Sequence, residues 1–216
     1  MHKGYVGVDK AGSVSHFPMV IASVYSNEHK KFLDIMKEVR EIASREKKIF
    51  LSVKEIKSRD IKKTNIQKEI LECITKNLEF NCVVLNNKPF GEIKNLVIKR
   101  KDYMKKLEAI FWYKSIAKFC KNENAIPKKV YLDLNYTKDK DLRFFEENIL
   151  LLFNKFHENS PSLISVNSKD YVCVGLSDLV AGILMRNREL MSSYKNKISI
   201  LSKREVENEV KFLFKM

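Results

Sequence analysis

The apolar residues near the N-terminus form two runs followed by a helical pattern. Residues 4–9 predict a buried strand that ends at a carboxylate, and residues 16–25 are apolar for long enough to form an interior strand. The Gly/Ser-containing segment 10–15 predicts the turn of a hairpin between them. Ser26 is a favourable N-cap for a helix that ends near Arg45, whose apolar positions recur at helical spacing.

The rest of the chain alternates between strand and helix patterns. Strands are predicted over residues 48–53, 78–85, 96–98, 129–133 and 162–166. Helices are predicted over 64–76, 102–121, 141–158, from about 178 within the apolar segment 175–190, and from 202 to the C-terminus. The pattern favours an α/β fold in one domain spanning 1–216, with a mixed β-sheet of about five strands, opened by an N-terminal hairpin, and helices on both faces.

Composition favours a packed globular protein. The 216 residues are 44% hydrophobic with only 6 Gly and 4 Pro, and no apolar run is long enough to span a membrane. The four cysteines have no C-x-x-C spacing, which argues against a zinc or redox motif and predicts buried free thiols. We therefore expect a cytoplasmic protein without a secretion signal.

The charge of the chain predicts a polyanionic partner. Lys and Arg number 41 against 27 acidic residues, giving a net charge of +14. A drift in composition toward Lys explains part of the excess, but a drift toward both Lys and Glu does not leave this surplus, so nucleic acid is the expected partner. A solvated basic face is the alternative interpretation of the candidate phosphate contacts. These are Lys10, Lys99, Arg100, Lys101, Lys105, Lys106, Lys128, Lys129, Arg186 and Arg188.

Three aspartates interrupt apolar segments. Asp9 and Asp133 each end a predicted strand, and Asp178 lies within the most apolar helix pattern. Buried carboxylates are costly unless they are paired or bind a cation, and three of them suit Mg²⁺ or Mn²⁺ in a two-metal hydrolysis of phosphodiesters. The alternatives are turn residues at Asp9 and Asp133 and a favourable charge in the first helical turn at Asp178.

Short motifs around these aspartates resemble the ribonuclease H-like superfamily. The segment Gly7-Val8-Asp9-Lys10-Ala11-Gly12 resembles the G-[VI]-D-E-A-G opening of ribonuclease HII, and residues 130–136 are similar to the strand-end aspartate motif of type 1 ribonucleases H. Asp178-Leu179-Val180-Ala181-Gly182 resembles the A-D-L-I-A-G motif of uncharacterised ribonuclease H-like domains that open with D-E-S-G. The resemblance implies a metal-dependent nuclease with Asp9, Asp133 and Asp178 as ligands.

One position departs from the resemblance. Lys10 stands where ribonuclease HII has a catalytic glutamate. Glu108 matches by topology the helix glutamate of type 1 enzymes and is a candidate fourth ligand, although a solvated carboxylate paired with Lys105 is the alternative. Two functions therefore stay open: a Mg²⁺- or Mn²⁺-dependent nuclease acting on DNA or RNA, and a non-catalytic module that binds nucleic acid or protein.

Other chemistries lack their motifs. The four histidines have no metal-binding spacing, and the chain contains no phosphate-binding loop, dinucleotide fingerprint or nucleophile elbow. The aromatic stripe Phe111-Trp112-Tyr113 suits base stacking, but its position on a long helix favours the hydrophobic core.

Overall fold

A computed structural model describes residues 4–13, 16–95, 102–120, 127–133, 139–157 and 159–214. The strands are β1 Tyr5–Ser13, β2 His16–Ser26, β3 Glu79–Leu85, β4 Lys129–Asp133, β5 Ser162–Val166 and β6 Ile198–Ile200. The helices are α1 His29–Ser44, α2 Thr64–Asn77, α3 Asn87–Lys94, α4 Tyr103–Ala117, α5 Asp139–Phe156, α6 Val172–Arg186, α7 Arg188–Ser193 and α8 Lys203–Phe214.

The strands form one mixed sheet in the order β5-β4-β1-β2-β3-β6. The antiparallel pairs are β1 with β2 and β2 with β3, whereas β4 lies parallel to β1 and to β5. The predicted α/β class and the N-terminal hairpin are confirmed. The prediction that the first strand ends at Asp9 and that residues 10–15 form the turn is wrong, because β1 continues to Ser13 and Asp9 pairs with Ala22 of β2. The sheet has six strands among the described residues rather than about five, because the three-residue β6 pairs in parallel with β3.

Helices cover both faces of the sheet, as predicted. Helices α1, α2 and α6 bury one hydrophobic core, and α4, α5 and α8 bury a second on the opposite face. Phe111 and Trp112 are fully buried in the second core, with Tyr113 almost so, which confirms their assignment to the core. Alternation of side chains along β1 and β4 sends successive residues to different cores: Val6, Val8, Val130 and Leu132 line the second core, and Tyr131 lies in the first.

Two predicted elements take a different form. Residues 48–53 contain a 3₁₀ turn, Lys48–Leu51, instead of a strand. The Arg40 guanidinium donates hydrogen bonds to the carbonyls of Phe50 and Val53, which satisfies that segment without a neighbouring strand. The segment Asn86-Asn87-Lys88-Pro89 is typical of a turn, but it forms the start of α3. The strand predicted at 96–98 lies outside the described residues.

Helix ends also differ from the capping signals. Ser26 is the last residue of β2, so its hydroxyl bonds to the backbone of Glu28 and α1 begins only at His29. The spacing Ser202-x-x-Glu205 predicts a capping box, and it forms, since Glu205 Oε2 accepts a hydrogen bond from the Ser202 backbone N–H at 2.8 Å. The spacing Thr64-x-x-Gln67 predicts another at the start of α2, but Gln67 donates to the carbonyl of Ile61 instead.

The four cysteines are free, and Cys82, Cys120 and Cys173 are buried as predicted, whereas Cys73 is half-buried. Within the described ranges, no helix has the length and apolar character needed to cross a membrane.

Candidate active site

The sheet brings Asp9 and Asp133 side by side. Strands β1 and β4 are adjacent and parallel, with Val8 opposite Leu132, so the two aspartates follow at neighbouring positions of the same sheet end. Asp9 lies two residues beyond Gly7 and Asp133 two beyond Tyr131, so both side chains face α6. The two residues are 6% and 8% exposed, so both carboxylates are largely desolvated.

Helix α6 is seated directly on β1 because Gly7 has no side chain. A Cβ at Gly7 would collide with the backbone of Cys173, which lies in the first turn of α6. The buried Ser177 hydroxyl donates a hydrogen bond to the Gly7 carbonyl at 2.7 Å. These two contacts fix the height and rotation of the helix and bring Asp178 to Asp9 and Asp133.

Asp178 does not lie in the first turn of its helix. Helix α6 begins at Val172, six residues before Asp178, rather than near Asp178 as the sequence predicts. The favourable interaction of a carboxylate with the helix dipole fades beyond the first turn, so it does not explain this residue.

The pKa of Asp9 reflects its burial and the nearby charges of the other two carboxylates. Burial raises its pKa to about 8, with further contributions from the charges of Asp178 and then Asp133. A hydrogen bond from the Lys10 backbone N–H, 2.6 Å from Oδ1, and the charge of Lys57 oppose this rise. The cluster is therefore short of positive charge, and Asp9 carries its proton at neutral pH when no other cation is bound.

An irregular segment between α1 and α2 covers Asp178. Ser58 packs against Gly182, one turn beyond Asp178, where an added Cβ would overlap the Ser58 hydroxyl. The Ser58 backbone N–H also hydrogen-bonds the Asp178 carboxylate. The contact explains why a glycine stands at position 182 of the motif, because the absence of a side chain there lets Ser58 pack close enough to bond Asp178.

The same segment contributes Glu55 and Lys57. Lys57 Nζ lies 2.5 Å from Glu55 Oε1, 3.2 Å from Ser168 Oγ and 3.9 Å from Asp178 Oδ2. Ser168 in turn donates to Glu55 Oε1 at 2.6 Å. Sequence analysis missed these residues because the segment has no periodic pattern, and their only signal is two charges flanking the buried Ile56.

Asp178 is incompletely satisfied by these neighbours. Burial raises its pKa, Lys57 and the Ser58 N–H oppose the rise, and Glu55 and Asp133 add to it. Its Oδ2 atom is buried and accepts no hydrogen bond from any described residue. An unpartnered buried carboxylate oxygen beside two other aspartates is the kind of donor that a hard cation needs.

Glu108 and Lys10 form an ion pair with each other on the other side of the sheet. Lys10 follows Asp9 on β1, so its side chain points toward α4, where its ammonium contacts the Glu108 carboxylate. The alternative pairing of Glu108 with Lys105 is wrong, since Lys105 binds Asp102 and Asp141. The Lys10 ammonium is therefore paired within the fold.

The three aspartates suit a divalent cation chemically, although their side chains do not form a closed ligand set. Among the described residues, no three acidic, histidine or cysteine side chains are arranged to hold a metal ion. The donors are nonetheless hard carboxylate oxygens, one of them without a hydrogen bond, and burial followed by the neighbouring charges raises the pKa of Asp9.

The basic residues have different relations to this cluster. Arg186, on the last turn of α6, is exposed, and its charge interacts with Asp178 and Asp60. Lys128 and Lys129 lie at the opposite end of β4 from Asp133. Lys99, Arg100 and Lys101 fall outside the described residues, so their predicted role is untested.

Solved structures similar to this chain include ribonucleases. The chain matches ribonuclease H2 from Pyrococcus horikoshii OT3 with a TM-score of 0.57 and 15% identity, over 90% of this chain and 78% of that one. It matches a chain of the PCNA:RNase HII complex from Archaeoglobus fulgidus with a TM-score of 0.55 and 15% identity, over 89% and 76%. For Bst-RNase HIII in complex with Mn²⁺ the values are 0.57 and 15%, over 88% of this chain and 55% of that one.

No protein-family model and no curated protein matches the chain. At 15% identity these structural matches define architecture only. The chain therefore has the ribonuclease H-like fold.

Proposed function

We propose that the protein is a divalent-metal-dependent nuclease that hydrolyses phosphodiester bonds of nucleic acid. Asp9, Asp133 and Asp178 would hold Mg²⁺ or Mn²⁺ beside the adjacent parallel strands β1 and β4. The observation that carries the proposal is the packing of two strands and a helix. The register of β1 and β4 puts Asp9 and Asp133 at neighbouring positions, and the packing of α6 on Gly7 brings Asp178 to them. Burial, and then the charges of Asp178 and Asp133, raise the pKa of Asp9 in agreement with this arrangement.

The residues of the chain would divide the work between binding and orientation. A bound cation supplies activation of water and neutralisation of phosphate charge. Asp9 and Asp133 are fixed by the sheet and Asp178 by the seat of α6 on Gly7, which preorganises the ligands. Arg186 is exposed beside Asp178 and would contact the substrate backbone. No nucleophilic side chain is required.

Two further observations support a nucleic-acid substrate. The net charge of +14 attracts polyanions. Each of the three structures described above is named as a ribonuclease or contains one, and one was solved with Mn²⁺. These names support the substrate class and the cation without fixing DNA or RNA as the substrate.

A cleavage assay tests the proposal. Labelled single-stranded DNA and RNA, the two duplexes and the RNA–DNA hybrid would be incubated with Mg²⁺, Mn²⁺ or EDTA. We expect cleavage of at least one substrate that requires the cation and falls at least about 100-fold in Asp9→Asn and Asp133→Asn. Asp34→Asn is the matched control, because Asp34 is exposed on α1.

A non-catalytic module is the second candidate. The observation that favours it is the Lys10–Glu108 ion pair, which engages both the residue at the position of the ribonuclease HII glutamate and the candidate fourth carboxylate. Binding of nucleic acid without cleavage of any of the five substrates, in either metal, would establish this second function and exclude the first.

A further inference from the structure

The connection between α1 and α2 carries a large share of the positive charge of the chain. Residues 45–63 contain eight basic and three acidic residues, a surplus of five. On the opposite face of the sheet, helix α5 contains three basic and four acidic residues. The net charge of +14 is therefore unevenly distributed, and the connection that carries this surplus is the segment whose Ser58 N–H bonds Asp178.

Four lysines of this connection form an exposed group, here called the lysine cluster: Lys47, Lys48, Lys62 and Lys63. The ion pairs of residues 45–63 within the described structure are those of Arg45, Lys54 and Lys57, so the lysine cluster takes part in none of them. Its ammonium groups are therefore available to an anion from solution.

Glu46 brings the two halves of the lysine cluster together. Its carboxylate accepts hydrogen bonds from the backbone N–H groups of Lys62 and Lys63 at 2.9 to 3.1 Å, which ties the end of the connection to its start. The charges of Lys47 and Lys63 both act on this carboxylate. With Glu46 counted, the group keeps a surplus of three positive charges.

The connection is ordered, although it has little regular structure. The Arg40 guanidinium donates hydrogen bonds to the carbonyls of Phe50 at 3.3 Å and Lys54 at 2.9 Å, and Gln67 donates to the carbonyl of Ile61 at 2.8 Å. The side chains of Phe50 and Ile61 are buried beneath it. The backbone that carries the lysines is thus preorganised, which lowers the entropic cost of binding.

The lysine cluster lies close to the aspartates along the chain. Lys63 follows Ser58 by five residues, and five residues span at most about 17 Å. Phosphates of one strand advance about 3.4 Å per base step, so the cluster can contact phosphates up to about five steps from a bond held at Asp178. The exposed Asp60 lies on this path, and the charge of Arg186 acts on both Asp60 and Asp178.

We propose that the connection between α1 and α2 is a docking surface for the sugar–phosphate backbone of nucleic acid, contacted through the lysine cluster. The inference rests on the proposed function and names the surface that holds its substrate to one side of the aspartates. Lysine contacts to phosphate carry no direct sequence information, so this surface should accept any base sequence.

Binding without a metal tests the surface separately from cleavage. A fluorescent DNA duplex in EDTA would be titrated with the intact protein at several salt concentrations, and its anisotropy recorded. Lys62→Gln with Lys63→Gln should weaken binding about tenfold and reduce the slope of log affinity against log salt by about 1.8, or about 0.9 for each lost contact.

The matched control is Lys203→Gln with Arg204→Gln, which removes two charges from exposed positions of α8 on the opposite face. It should change the affinity less than about twofold, since it removes no phosphate contact. Lys62→Arg with Lys63→Arg keeps both charges and should bind as the wild type does.

The outcomes separate this surface from the nuclease. Equal losses in the two Gln double variants would overturn the inference while leaving the proposed nuclease intact, because binding would then follow net charge alone. Binding of phosphatidylserine vesicles but not of the duplex would also overturn it. Binding that depends on the lysine cluster, in a protein that cleaves no substrate with Mg²⁺ or Mn²⁺, would retain the docking surface and refute the nuclease.

Discussion

Replacing Asp9 with Asn should stabilise the metal-free protein. The Asp9 carboxyl is 6% exposed, and burial followed by the charges of Asp178 and Asp133 raises its pKa from 3.8 to about 8. Between these two values the folded protein holds a proton that the unfolded chain releases. Stability is therefore full below pH 3.8 and is lost as pH rises toward 8.

The size of the effect follows from the same values. At pH 7 the solution lies about three pH units above the unfolded pKa of 3.8 and still below the folded pKa of about 8. Each unit corresponds to ~1.4 kcal/mol, so the penalty has a ceiling of about 4 kcal/mol. Asn is a neutral replacement that keeps the acceptor for the Lys10 N–H. We expect a gain of about 1 to 4 kcal/mol at pH 7.

Urea unfolding in EDTA at pH 5.5, 6.5 and 7.5 measures this gain. The advantage of Asp9→Asn over the wild type should grow with each step by up to about 1.4 kcal/mol, because only the wild type loses stability through this carboxyl. Asp34→Asn should show no such trend. A gain that does not vary with pH, or a destabilised variant, would refute the electrostatic account of the cluster.

The remaining predictions concern packing, ion pairing and binding. Gly182→Ala should lower the free energy of unfolding by about 1 to 3 kcal/mol in urea titrations, since the methyl would overlap Ser58, whereas Gly91→Ala, which has open space and lies in α3, should be neutral or stabilising by up to ~1 kcal/mol. Ser177→Ala should cost about 1 kcal/mol in the same assay through its lost hydrogen bond to β1. Glu108→Gln should retain metal-dependent cleavage, and its loss would make Glu108 a ligand. Affinity for a labelled duplex, followed by fluorescence anisotropy, should fall at least about tenfold between 50 and 200 mM salt, and salt-independent binding would contradict a phosphate-contacting role.

Much of the sheet was predictable because most of its strands have a recognisable local sequence pattern. Residues 129–133 and 162–166 form strands with the predicted bounds, since each is a short β-branched run closed by turn signals. The prediction at 48–53 fails because its apolar residues Ile49 and Leu51 are 62% and 56% exposed, so apolarity there does not record burial. Strand β6 was missed because three residues carry no detectable period.

The site was only partly predictable for a different reason. The aspartates were visible because each interrupts an apolar run. The strand-end position predicted for Asp133 is confirmed, whereas Asp9 lies within β1, which continues to Ser13. The lysines that balance the acidic groups depend on contacts between distant parts of the chain: Lys57 meets Ser168 across 111 positions and Lys10 meets Glu108 across 98. The sequence pattern of a single segment cannot predict contacts between residues so far apart in the chain.

A crystal structure of the protein soaked with Mn²⁺, with the metal located by anomalous scattering, tests the central claim most directly. The account predicts a Mn²⁺ peak bound by carboxylate oxygens of Asp9 and Asp133, with Asp178 at the same centre, at distances of about 2.0 to 2.3 Å. A map in which these three carboxylates hold no metal at saturating Mn²⁺, or in which the metal lies elsewhere on the protein, would contradict it.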